Sequence, residues 1–437
     1  MDVAQAAQRR SDPAPARRAA TERQRDGLSV VGLFAGIGGL ELGLERAGHR
    51  TELLCELMPD ARAVLEAARE RRTEPAFPHA KFEVDVTSRA LENALPGRFD
   101  LLAAGFPCQD LSPAGSTAGI NGSQSGLIGH VFELLKRRRP AARPTWVVLE
   151  NVWNMRHLDE GKAMKVVLSA LTGLGYSWAY REVDSLAFGL PQRRKRLFIV
   201  ACLQGAGDPR RVLLEGDVPA FKHVKEPAWL GGKACAFSWT EGNRGVGWAV
   251  DSVPTLKVGS GLDIPSPPAI ILPPDGRIVV PTIRDVERLQ GFPRGWTEPA
   301  AEVDPRNGRS RWRLVGNAVS VPVAEWIGRR LAEAHRPLPL PEGTTLDAES
   351  KWPPAAWQIP GGPRHAADLG TWPLAAPRTP LLELLDEEPA VRALLSSKAA
   401  SGFLRRFQAS NLFKRAPEHR AALLRVLREH VDRPAPV

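Results

Sequence analysis

The apolar positions of this chain come in short continuous runs separated by helical periodicity. Leu28 to Phe34, "LSVVGLF", is an apolar, β-rich run, the signature of a buried strand. A helical pattern follows from Gly39 through Ala47 and is closed by Gly48. "TELLCE" predicts a second strand ending in Glu56, and Pro59 through Arg71 a second helix. "KFEVDV" predicts a third strand ending near Asp85, and "FDLLAAG" a fourth just before Cys108. After a helix at Gly129 to Lys136, "WVVLENV" is a fifth strand carrying Glu150 near its end. One more helix precedes the strands "YSWAYREVDS" and "RLFIVAC". This alternation predicts an α/β chain with a doubly wound parallel sheet. Ligands of such sheets sit at the carboxyl ends of the strands, where Gly36, Glu56, Asp85, Cys108 and Glu150 all fall.

The rhythm changes near Gly205. From there to Pro281 the chain is rich in Gly, Pro and Trp and holds no long helical pattern. Helical signal returns in "IRDVERLQ" and "VPVAEWIGRRLAEAHR", followed by the Pro-rich "PLPLPEG". The tail carries two amphipathic pieces, "PLLELLDEEPAVRALLSS" and "HRAALLRVLREHV", whose leucine stripes read as helix packing. The expected division is a disordered basic arm at 1–27 and a catalytic domain at 28–204. A small loop-rich domain at 205–281, a return segment at 282–336 and a helical extension at 337–437 complete it.

Composition narrows the class. With 437 residues and 43% hydrophobic content the chain can build two or three domains. Lys and Arg number 59 against 49 Asp and Glu, a net charge of +10, which favours a polyanionic partner such as nucleic acid. Cys55, Cys108, Cys202 and Cys235 share no metal-type spacing, so neither a metal site nor a disulfide scaffold is expected. No apolar run is long enough to span a membrane and the N-terminus has no apolar signal core, so the expected location is the cytoplasm.

Chemistry concentrates in four stretches. "FAGIGG", Phe34 to Gly39, brings backbone close to a ligand between strand and helix. Glu56 at the next strand end suits ribose hydroxyls. The segment lacks the GxGxxG of a pyrophosphate site, so it points to an adenosine ligand without a diphosphate. Cys108 is a candidate nucleophile and Glu150 a candidate general acid. "PQRRKRLF" places Arg194 and Arg196 on one face of a strand. Singly, each has a plainer reading: a small buried thiol, a satisfied carboxylate, a solvated strand edge. Their order along one sheet does not.

That order resembles the bacterial DNA cytosine-5 methyltransferases. The matching motifs are "LFAGIGGL", "GFPCQDLSPAG", "ENV" at Glu150 to Val152, "QRRKR" at Gln192 to Arg196, "ERLQGFP" at Glu287 to Pro293 and "GNAVSVPVA" at Gly316 to Ala324. They span about Leu28 to His335 and leave one variable segment. The resemblance implies a Rossmann-like S-adenosyl-L-methionine-dependent fold with a target-recognition domain at 205–281. It implies that Cys108 adds to carbon 6 of a flipped-out cytosine, that Glu150 serves ring nitrogen 3, and that Arg196, helped by Arg194, holds the base oxygen. Phe34, Gly36, Gly38, Gly39, Glu56, Asp85, Val86, Gly105, Pro107 and Asn317 would bind the cofactor. Gln109, Ser112, Arg193, Thr255 and Leu256 would contact DNA.

By the same resemblance the chain acts on double-stranded DNA as a monomer. It would protect host DNA in a restriction–modification system, alongside a cognate endonuclease acting on the same site without a stable complex. The chain departs from the usual pattern at Gln124, Asp285 and Ala318, none of which coincides with Cys108 or Glu150. Two other readings use the same core: an RNA cytosine-5 methyltransferase, and a catalytically silent DNA-binding regulator. The variable segment weighs against the first and the presence of both Cys108 and Glu150 against the second.

Overall fold

A computed structural model describes residues 27–73, 75–107, 126–220, 231–241, 245–257, 265–304, 308–334, 343–347, 350–385 and 393–432. The expected basic arm, together with Cys108, Gln109, Ser112 and Gln124, lies outside the described residues.

The first half follows the hydrophobic pattern. β1 (Ser29–Leu33) leads through the glycine loop into α1 (Gly39–Arg46), then β2 (Arg50–Cys55), α2 (Pro59–Arg69) and β3 (Lys81–Glu83). α3 (Arg89–Ala94), β4 (Leu101–Gly105), α4 (Gly126–Arg137), β5 (Trp146–Val152), α5 (Lys162–Gly173), β6 (Tyr176–Asp184), β7 (Lys195–Leu203) and α6 (Pro209–Leu213) continue it. A second sheet comprises β8 (Cys235–Glu241), β9 (Gly245–Val250), β10 (Ala269–Ile271) and β11 (Ile278–Val279). The return consists of α7 (Ile283–Leu289), α8 (Ala300–Val303), α9 (Ser310–Asn317) and α10 (Val321–Glu333). Beyond it lie β12 (Thr345–Leu346), β13 (Ala355–Gln358), β14 (Arg364–Ala366), α11 (Leu381–Leu384), α12 (Ser397–Ala409) and α13 (Pro417–Asp432).

Among the described residues the main sheet runs β12-β14-β13-β6-β7-β5-β4-β1-β2-β3. From β5 to β3 every pairing is parallel, in the 3-2-1-4-5 strand order of a Rossmann-like half. The expectation of a wholly parallel sheet is corrected on the other side. β7 pairs antiparallel with β5 and with β6, because β6 and β7 are joined by a loop of ten residues, too short for a crossover helix.

The C-terminal expectation also changes. The described residues between 345 and 366 are not helical: β13 adds antiparallel to β6, Ala355 opposite Arg181 and Gln358 opposite Trp178, and β14 and β12 extend the edge. These strands have two to four residues, too short for an alternating pattern to register. Helix α12 was not anticipated either. It and α13 cover the small sheet, with Phe237 stacked on Phe403 at 3.9 Å and Trp248 edge-on to Phe413 at 5.3 Å. The part of 205–281 that forms the separate sheet starts at Cys235, since α6 packs on β6, β7 and α10 of the main body.

Helix α10 closes the core by lying against α1. The contact is close because both helices carry glycine there: a Cβ at Gly43 would stand 2.4 Å from the Ala324 Cβ, and one at Gly328 2.6 Å from the Ala47 Cβ. At the start of α7, Thr282 and Asp285 form a reciprocal capping box, so the shorter acid at 285 completes the cap.

Candidate active site

The cofactor corner is built by the turn between β1 and α1. Phe34, Gly36 and Gly38 all have positive φ, at 54°, 55° and 80°. Gly36 is the one that faces open space, since a Cβ there would meet nothing within 4 Å. Gly38 and Gly39 have packing reasons of their own. A Cβ at Gly38 would come within 2.8 Å of Phe77, and one at Gly39 within 2.4 Å of the Val319 carbonyl. Trp296 of the return segment is buried and donates its indole N–H to the Ile37 carbonyl at 2.9 Å, fixing the turn from behind.

Glu56 stands directly after β2 and is 7% exposed. Its Oε2 accepts the Gly36 N–H at 2.7 Å and its Oε1 the Met58 N–H at 2.8 Å. Each oxygen keeps a second lone pair, which suits a pair of hydroxyls. Asp85 follows β3 and turns the chain into α3: its Oδ1 accepts the Thr87 N–H and hydroxyl, both at 2.8 Å. Those bonds hold its carboxyl below the usual range, while Oδ2 has no partner among the described residues. Val86 and Phe34 pack partly buried against the main core. Asn317 is exposed at the end of α9, and Pro107 is exposed beyond β4.

The second corner sits where β4, β5 and β7 meet. Glu150 pairs with Gly105 on one side and Phe198 on the other. Arg196 pairs with Val152, so it is the diagonal neighbour of Glu150 on the same face. Its Nε lies 3.2 Å from Glu150 Oε1, an ion pair lacking hydrogen-bond alignment. Glu150 Oε1 is therefore buried without a hydrogen-bond partner among the described residues. Burial raises the Glu150 carboxyl above its usual range, and Arg196 and then Arg194 oppose the rise. A glycine at 105 keeps space beside it, since a Cβ there would rest 3.7 Å from Glu150 Oε2. Asn151 donates to the Phe106 carbonyl at 3.0 Å and pins the root of the Pro-Cys loop to β5.

The remaining expected site residues have partners within the chain. Arg194 is fully buried, and its guanidinium donates to the carbonyls of Leu256, Gly316 and Ala318 at 3.5, 3.1 and 2.8 Å. It ties the start of β7 to the segment at Leu256 and to the end of α9. Leu256 is buried in a core cluster and its N–H donates to Gln192 Oε1 at 3.3 Å. Thr255 donates its hydroxyl to the Arg193 carbonyl at 2.7 Å. This Thr-Leu pair joins its segment to the "QRR" stretch, with Leu256 buried and Thr255 half-buried. Arg193 is partly buried and donates to the Trp248 carbonyl at 2.7 Å.

The sequence reading missed the polar joint behind this corner. Gln192 donates to Leu289 O and Gln290 Oε1, and Gln290 donates to Val315 O. Ser320 donates to Gln290 Oε1 at 2.7 Å and meets the Ser185 hydroxyl at 2.9 Å. Glu287, fully buried, receives the N–H groups of Gly295 and Thr297. Gln192, Glu287, Gln290 and Ser320 all lie inside the quoted motifs, which was the available signal.

A Rossmann-like sheet with an acid for hydroxyls at one strand end and a buried carboxyl–guanidinium pair at another defines a nucleoside-cofactor-dependent transferase. Residues 28–229 match the family model for C-5 cytosine-specific DNA methylase. The Type II methyltransferase M2.BsuMI of Bacillus subtilis (strain 168) is 43% identical over 388 residues, 87% of this chain and 93% of that protein. M.DsaV of Dactylococcopsis salina is 26% identical over 322 residues, 70% of this chain and 86% of that one. The crystal structure of the S. pombe Dnmt2 methyltransferase is 19% identical with a TM-score of 0.49, over 70% of this chain and 98% of that one. The chain belongs to the C-5 cytosine-specific DNA methylase family and is a DNA cytosine-5 methyltransferase. Among the described residues no helix is long and apolar enough to cross a membrane.

Proposed function

We propose that the protein methylates carbon 5 of a cytosine within one short DNA sequence, with Cys108 as nucleophile and Glu150 as its acid partner, as the modification arm of a restriction–modification system. The observation that carries this reading is the Glu150–Arg196 pair beside the root of the Pro-Cys loop. The other cysteines do not compete for the role. Cys55, Cys202 and Cys235 are buried, and burial pushes the Cys55 thiol up to about 12 and the Cys202 thiol higher still.

Cofactor fit rests on the first corner. Gly36 leaves open space, Glu56 has acceptor capacity for a ribose diol, and Asp85 Oδ2 can receive an adenine amino group. Val86, Gly105 and Pro107 stand at or just after the ends of β3 and β4, and Asn317 ends α9. S-adenosylmethionine, when bound there, supplies the methyl group as an electrophile.

The chain's residues do the rest. The cytosine must leave the base stack, because attack on the ring face is blocked in a duplex. Cys108 Sγ bonds to carbon 6 and the ring electron pair moves toward nitrogen 3, where Glu150 gives its proton. Carbon 5 thereby gains enamine character and accepts the methyl group. Loss of the carbon 5 proton to a base and expulsion of the Cys108 thiolate restore the aromatic ring; nitrogen 3 returns its proton to Glu150. Burial raises the Glu150 carboxyl and so favours its proton-bearing form, while Arg196 stabilises the ionised form. Arg194 and the Gln192–Gln290 joint hold that pair in register.

The test combines labelled S-adenosylmethionine, unmethylated genomic DNA and bisulfite mapping. Protection at one short motif, lost in Cys108→Ser while DNA binding remains, is the expected result. Full turnover by Cys108→Ser would remove Cys108 from the mechanism; label in RNA alone would replace DNA as the substrate. Host protection is read by challenging the modified DNA with an endonuclease of the same motif.

A further inference from the structure

The segment from Ala393 through Pro417 carries five cations, Lys398, Arg405, Arg406, Lys414 and Arg415, and no acid. Helical surfaces ordinarily mix both signs. All five side chains belong to exposed residues. Among the described residues, Arg405, Lys414 and Arg415 have no carboxylate partner, while Arg406 donates to the Trp239 carbonyl at 3.3 Å.

These cations crowd a turn that is built rather than loose. Arg420 of α13 reaches back and donates to four carbonyls at the end of α12: Phe407 and Ser410 at 3.3 Å, Gln408 and Leu412 at 2.7 Å. Its guanidinium also lies 4.8 Å from the Phe407 ring centroid. Phe413 holds a left-handed φ of 57°, a strained state kept by its packing against Trp248 and Phe407. Arg405 and Arg406 enter this turn, and Lys414 and Arg415 leave it.

Its place in the fold points toward the site. The Trp248 ring supports Phe413, and the Trp248 carbonyl holds Arg193, which lies three residues before Arg196. The basic turn is thus two contacts from the catalytic strand, on the far side of the small recognition sheet.

We infer that the α12–α13 turn is a phosphate-binding surface that extends the recognition domain along duplex DNA, with Arg405, Lys414 and Arg415 contacting the backbone beside the target site. The inference rests on the proposed DNA substrate. It gives the C-terminal helices two jobs: α12 and α13 bury the outer face of the small sheet, and their connecting turn holds DNA. The contacts are electrostatic and carry no base readout.

The experiment is a salt titration of DNA affinity for the full chain, for R405Q/K414Q/R415Q, and for K162Q/K165Q, which removes two exposed lysines of α5. Each phosphate contact contributes about 0.9 to the slope of log K against log salt. The triple variant is expected to lose about 2 to 3 from that slope, with the α5 variant matching wild type. The substitutions are at exposed positions, and thermal melts of the three proteins check folding. An unchanged slope in the triple variant overturns the inference and leaves the enzyme's DNA methylation standing. Equal loss per charge in both variants also overturns it, since bulk charge then explains the effect. A wild type that neither binds nor methylates DNA overturns the proposed function and this surface with it.

Discussion

Glu56 and Glu150 end two strands of one sheet, each 7% exposed, yet their surroundings differ in kind. Two backbone N–H groups hold Glu56, one on each oxygen, with room left for further donors. Glu150 has no backbone donor on Oε1, and two arginines act on it through charge. Equal burial therefore leaves one carboxyl held by backbone donors and the other raised by desolvation beside two arginines. What separates them is partner chemistry: dipoles fix a carboxylate for hydroxyl binding, whereas desolvation against a nearby cation poises it for proton exchange.

The largest effect expected from breaking this contrast is at Glu150. Glu150→Gln should lower turnover by about 10²- to 10⁴-fold with DNA affinity retained, measured with saturating labelled methyl donor. A rate equal to wild type would erase the distinction between the corners. Arg194 comes next. Arg194→Met removes a donor from the Leu256, Gly316 and Ala318 carbonyls, of which Ala318 keeps Gln290, and should cost about 3 kcal/mol of stability, read as a lower urea midpoint. A full loss of turnover without any loss of stability would instead return Arg194 to direct contact with the base.

Glu56→Ala should weaken methyl-donor affinity by about 2 kcal/mol, some thirtyfold, in equilibrium binding without DNA. A change confined to turnover would mean the two glutamates share one role. Asn151→Ala should slow turnover by about tenfold by loosening the Phe106 anchor, with methyl-donor affinity held; a matching loss of affinity would place Asn151 at the cofactor instead.

A separate prediction, in stability rather than activity, sharpens what burial without a partner does. Glu41 of α1 is buried, its Oε2 lacks a hydrogen-bond partner, and burial raises its carboxyl to about 8. Folded protein then keeps a proton that the unfolded chain releases. Stability should be fullest below the ordinary glutamate range and fall by about 1.4 kcal/mol per pH unit from there up to the folded value. Glu41→Gln should flatten that slope in urea titrations across pH; an undiminished slope would assign it to another group.

Much of the catalytic half was legible because β1, β4 and the start of β5 are largely apolar runs and polar residues stand at or just past several strand ends. That pattern located Glu56, Asp85 and Glu150 at the strand ends. The sense of β6 and β7 was not legible, since buried parallel and antiparallel strands read alike when both faces are covered. Arg194 shows the same limit at a single residue. Strand parity put it beside Arg196, but only the arrival of Gly316 and Ala318 from over a hundred residues away gave its donors somewhere to go.

By itself, the sequence determined the order of strands and helices in the first half, the glycine turn, and which residue types stand at each strand end. These are local matters of periodicity, backbone freedom and side-chain chemistry. Tertiary structure alone decided that Gly38 and Gly39 answer to Phe77 and Val319, that Thr255 and Leu256 bond to Arg193 and Gln192, and that the C-terminal segment extends one sheet and covers the other. Each of those depends on a partner distant in the chain, and a contact between distant segments leaves no period in either of them.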